Sequence, residues 1–81
     1  MARLYDDLLE IACTYMGIAG KEYLDRRCRI VARDTRPEDI GVEKIDRLVA
    51  GIEMTARVYM SVAKADAFRR EVAALQRVHD Q

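Results

Sequence analysis

The chain has 81 residues, 51% hydrophobic and 35% charged, with basic and acidic side chains balanced at a formal net charge of +0. That mix is too apolar for a disordered chain and too charged for a membrane span, and the length predicts a single domain over 1–81. A balanced charge and a pI of about 6.6 also weigh against a dedicated nucleic-acid binder, which ordinarily carries a clear basic excess.

Asp6 and Asp7 follow closely on Met1, so the start does not read as a secretory signal, and a cytoplasmic location is expected. From there Leu4, Leu8, Ile11, Ala12 and Tyr15 recur at helical spacing, with Asp6, Asp7, Glu10 and Thr14 opposite. The spacing predicts an amphipathic helix from near residue 3 to residue 16. Gly17 and Gly20 then interrupt the pattern, since continuing it would place Glu22 and Arg26 on the buried face. A break is expected; the alternative is one longer helix kinked at Gly17–Gly20, giving three helices in all.

A second helix is expected from about Lys21 to Arg33, with Tyr23, Leu24, Cys28, Ile30 and Val31 inward. Arg27 falls on that apolar side, where its stem should pack while the guanidinium reaches out to a carboxylate. The next stretch, Asp34 to Gly41, reads as a corner. Thr35 and Glu38 have capping-box spacing, and Pro37 suits a first helical turn.

A third helix is expected from about Val42 to Met60, with Ile45, Leu48, Val49, Ile52, Ala56 and Tyr59 on one face. Ser61 is a plausible N-cap for a fourth, from about Val62 to Val78, with Ala65, Phe68, Val72 and Leu75 inward. No stretch alternates with the period of a strand. Net charge changes sign from segment to segment: negative over 1–20, positive over 21–36, negative over 37–53 and positive over 54–81. This suits antiparallel neighbours, so the expectation is an all-α protein, a small bundle of about four antiparallel helices.

Chemistry finds few candidates. Cys13 and Cys28 sit at or near the apolar faces, where cysteine behaves as a small hydrophobe, and no CxxC pair accompanies the sole histidine, His79. No metal or cofactor is expected. There is no glycine-rich phosphate loop, and no nucleophile has an identifiable base, so an enzyme is not expected.

Two surfaces remain. Arg26, Arg29 and Arg33 share an outward stripe that could grip a nucleic-acid backbone, another polyanion or an acidic protein, although Glu22, Asp25 and Asp34 lie in the same segment. On the third helix, Gly51, Met54 and Val58 form a second apolar seam away from the Ile45–Ile52–Tyr59 stripe. It could pack on another helix of the bundle or serve a partner, with a homodimer as the leading form because a pair would double a thin core. The favoured reading is a non-catalytic protein–protein interaction module, self-associating; the alternative is a nucleic-acid or polyanion binder using the arginine stripe.

Overall fold

The computed structural model describes residues 3–79, and the expected helices are there: α1 (Leu4–Met16), α2 (Ala19–Val31), α3 (Ile45–Thr55) and α4 (Val62–His79). Short 3-10 turns cover Pro37–Asp39, Val42–Lys44 and Ala56–Val58, and no strand occurs among the described residues. Each helix packs on two neighbours in the cyclic order α1, α2, α3, α4, while the diagonal pairs barely touch. The radius of gyration, 11.5 Å, is what a fully packed chain of this length should have, about 12 Å.

Contacts between helices fix the directions. Tyr5 meets Asp25 while Ala12 meets Gly20; Tyr23 meets Thr55 while Arg27 meets Gly51; Asp7 meets His79 while Tyr15 meets Glu71; and Glu53, near the end of α3, meets Arg69 in the first half of α4. All four neighbouring pairs are therefore antiparallel. The core between them comprises Leu4, Tyr5, Leu8 and Ala12 of α1, Tyr23, Leu24 and Cys28 of α2, Ile45, Leu48 and Ile52 of α3, and Ala65, Phe68 and Val72 of α4. Tyr15 stacks on Phe68 at 5.4 Å between ring centroids, which joins the end of α1 to the first half of α4.

The first connection is a true break, so the three-helix alternative does not hold. Gly17 adopts a positive φ of 62° that an L side chain rarely tolerates, and its N–H closes α1 onto the Cys13 carbonyl at 2.8 Å. α2 then starts at once, two residues earlier than expected. Gly20 allows this. A Cβ there would lie 2.7 Å from both the carbonyl carbon and oxygen of Ala12, so α2 crosses against the bare backbone of α1.

Several local expectations are corrected. Ile30 is 51% exposed, because the buried arc of α2 centres on Leu24 and Cys28 and Ile30 lies about 120° round from Leu24. Cys13 is exposed for the same reason on α1, while Cys28 is buried. Thr35 caps nothing: the Pro37–Asp39 turn begins after Arg36 and has no side-chain cap, although Pro37 does occupy its first turn. Ser61 accepts from the Lys64 N–H at 3.2 Å, as an N-cap should.

The third helix is shorter than the periodicity implied. Thr55 Oγ1 donates to the Gly51 carbonyl at 2.7 Å, a back-bond that competes with the helical ladder, and the chain tightens into the 3-10 turn immediately after it. Tyr59 ends up 51% exposed, its ring edge-on to Tyr23 at 5.3 Å. The alternation of segment charge acts less than expected between helices. Most ion pairs lie within one element, and the pairs that join helices are Arg69–Glu53 at 3.5 Å and His79–Asp7 at 2.6 Å.

Candidate interaction surface

The second apolar seam of α3 is not used by the bundle. Met54 and Val58 are each 82% exposed, on the edge of α3 and its terminal 3-10 turn that faces the α2 side. Gly51 lies on the same strip but is half-buried, because Arg27 of α2 crosses it. A Cβ at Gly51 would sit 3.3 Å from Arg27 Nη1 and 3.4 Å from its Cδ. The three predicted residues are thus contiguous, with Met54 and Val58 open and Gly51 roofed by an arginine.

Arg27 is the residue whose surroundings depart most from expectation. Its stem packs as foreseen, over a core void bounded by Leu8, Leu24, Leu48, Ile52 and Phe68. The carboxylate does not materialise: among the described residues no acid lies within ion-pair distance of it, and its buried Nε has no hydrogen-bond partner. The neighbouring acids are taken up within α2 itself, Glu22 by Arg26 at 3.8 Å and Asp25 by Lys21 at 2.7 Å. Arg47, one turn before Gly51, is exposed and likewise unpaired among the described residues. The seam is therefore apolar with the unneutralised guanidinium groups of Arg27 and Arg47 at one end, and exposed Arg57, likewise without an ion pair among the described residues, stands between Met54 and Val58 in sequence. Sequence periodicity found the seam and flagged Arg27, but gave no signal that Arg27 would lie against Gly51.

The outer arginines of α2 stand where they were expected. Arg26, Arg29 and Arg33 are all exposed. Arg29, Arg33 and Arg36 line a shallow groove, but Asp34 and Glu38 line it too, and Arg36 is held by Asp39 at 3.2 Å. The stripe is mixed in charge at its C-terminal end.

The polar groups buried elsewhere are satisfied. Asp25, the one buried charged residue among the described residues, accepts from the Tyr5 hydroxyl at 2.6 Å and from Lys21 Nζ at 2.7 Å. Burial pushes its carboxyl up, but the bonds from Lys21 and Tyr5 outweigh that and hold it below the usual carboxylate range. Tyr5 is pushed up to about 12, by burial first and then by its bond to Asp25. Burial likewise raises the Cys28 thiol to about 12, which removes it as a nucleophile near neutral pH.

The described residues hold no cluster of metal-ligating side chains. No group of three His, Cys, Asp or Glu side chains converges among them, and no helix is long and apolar enough to cross a membrane. The core void is about 10 Å³, at the limit for a single water. An open crevice lies between the end of α3 and the start of α4, where Arg69 already pairs with Glu53 and with Asp66 at 2.7 Å. Comparison with known proteins returns no match: no family model matches the chain, and neither curated proteins nor solved structures include a significant relative.

Proposed function

We propose that the protein is a non-catalytic protein–protein interaction module that associates with further copies of itself through the Gly51–Met54–Val58 edge of α3. One observation carries this reading: Met54 and Val58 stand 82% exposed on a strip that no helix of the chain covers. Isolated exposed apolar residues are ordinary, but these two are adjacent on one helical face and continue from a half-buried, unpaired arginine. A methionine suits such a surface because its unbranched side chain adapts to a partner.

Size-exclusion chromatography with light scattering over roughly a hundredfold range of concentration tests it. The expected mass exceeds 9.3 kDa at high concentration and falls toward it on dilution, whereas Met54→Asp and Val58→Asp stay at 9.3 kDa. A wild-type chain that remains at 9.3 kDa throughout is not self-associating.

The exposure of Arg26, Arg29 and Arg33 supports a second reading, in which that stripe binds a nucleic acid or another polyanion. It predicts retention of RNA or heparin that weakens steeply with salt and is lost in Arg29→Glu/Arg33→Glu. The carboxylates of Asp34 and Glu38 in the same groove make it the lesser of the two.

A further inference from the structure

Resting on the self-association reading, we infer that the occupant of the α3 edge is a different surface of the second copy, the groove between its α1 and α4. The two faces lie on opposite sides of the bundle, since α1 and α4 are neighbours, as are α2 and α3, and the diagonals barely touch. They are also complementary in character. The α3 edge carries Met54 and Val58 with the unpaired guanidinium groups of Arg27 and Arg47 at one end. The α1–α4 groove, about 330 Å³, has Ile11 and Leu75 in its lining and carboxylates at its rim: Asp7, Glu10 and Glu71. Val78, 65% exposed, follows Leu75 along α4 and extends the apolar part.

The match is one of type: exposed or half-buried arginines beside apolar side chains on the α3 edge, carboxylates beside apolar side chains in the groove. In the groove Glu71 lies toward the end where it accepts from Tyr15, Glu10 and Ile11 lie level with Leu75 near the middle, and Val78 lies toward the end where His79 meets Asp7. Docking brings Arg27 and Arg47 against Glu10 and Glu71 while Met54 and Val58 cover Leu75 and Val78. The acids on α3 itself do not oppose this. Glu53 is turned to Arg69 of α4, and Asp46 shares that side of the helix.

A symmetric pairing of one α3 edge with another would leave Arg27 and Arg47 without carboxylates and bring like charges together. That is the arrangement electrostatic complementarity disfavours. The heterologous contact neutralises both arginines. It also has a consequence for the assembly: a contact between unlike faces does not close at two copies, so it yields rings or open chains whose mass grows with concentration.

Complementation between two variants tests this. Met54→Asp disables the α3 edge, and Glu10→Arg/Val78→Asp disables the groove; all three positions are exposed, so both variants should keep the wild-type helical circular dichroism and melting transition. Each alone is expected at 9.3 kDa, with association weakened roughly tenfold or more. Mixed in equal amounts, they retain one intact copy of each face and form a 1:1 dimer that does not grow further, weakened by added salt. If the wild type assembles but Glu10→Arg/Val78→Asp still does so normally, or if the mixture stays monomeric, the groove is not the occupant. If the wild type never assembles, the self-association reading fails first.

Discussion

Helix α2 meets its two neighbours by different means. Against α1 it brings Gly20 onto the bare backbone of Ala12, and at the other end Tyr5, Asp25 and Lys21 form a closed set of hydrogen bonds. Against α3 it lays the flexible side chain of Arg27 across Gly51 and leaves the guanidinium without an acid among the described residues. Both interfaces place a glycine at the crossing, but one is fixed by backbone contact and the other by a side chain that can swing away. The first interface satisfies its buried polar groups; the second leaves the buried Nε of Arg27 without a hydrogen-bond partner among the described residues.

The same substitution should therefore have opposite signs at the two glycines. Gly20→Ala places a methyl group 2.7 Å from main-chain atoms of Ala12 that cannot move without separating the helices. The expected cost is about 2–3 kcal/mol, seen as a fall in Tm on the order of 10–20 °C. A Gly20→Ala variant that melts with the wild type would show that α1 and α2 are not in backbone contact.

Asp25 measures the other end of that interface. Asp25→Ala leaves the buried Tyr5 hydroxyl without its acceptor and should cost about 2 kcal/mol, compared with about 1 kcal/mol for Tyr5→Phe. The wild type carries a matching pH dependence. The folded-state carboxyl titrates below its unfolded value, so its stabilisation is complete above about pH 4 and is lost as the pH falls through the lowered folded value. Urea midpoints measured from about pH 7 down to about pH 2 should show that extra loss in the wild type and lack it in Asp25→Ala.

The asymmetry between the interfaces was only partly legible in the sequence. Helix α1 was readable to within a residue because Leu4, Leu8, Ala12 and the following glycine all state the same boundary. The break at Gly17 was readable too, yet nothing local distinguishes Gly17, which supplies a positive φ, from Gly20, which supplies a close approach. That distinction exists only once two helices cross. The seam at Met54 and Val58 followed from periodicity, but whether the chain's own helices would cover it depended on where α2 came to lie. Arg27 was marked as out of place by its position on the wheel. The sequence offered it no carboxylate on its own helix, since Tyr23, Leu24, Ile30 and Val31 fill the places three and four residues away, and whether another helix would bring one depended on the packing.

Gly51→Ala reverses the sign. Alanine is about 1 kcal/mol better than glycine within a helix, and the atoms a Cβ would press at 3.3–3.4 Å belong to the flexible Arg27 side chain, which can lift away. A gain of about 0.5–1 kcal/mol is expected, visible as a Tm a few degrees higher. A loss instead would mean that Arg27 is held in place as firmly as the backbone at Gly20.

The smallest effect on stability is the one that separates folding from assembly. Arg27→Met keeps the apolar stem over Leu8, Leu48 and Phe68 and removes a buried donor that has no acceptor. The monomer should then be unchanged or up to about 1 kcal/mol more stable. If the guanidinium waits for Glu10 or Glu71 of another copy, the same variant should associate several-fold more weakly and with a shallower salt dependence than the wild type, Arg47 keeping the rest. A residue kept only for packing would move stability without moving association. An arginine whose replacement helps the fold and harms the assembly is one whose charge serves the partner.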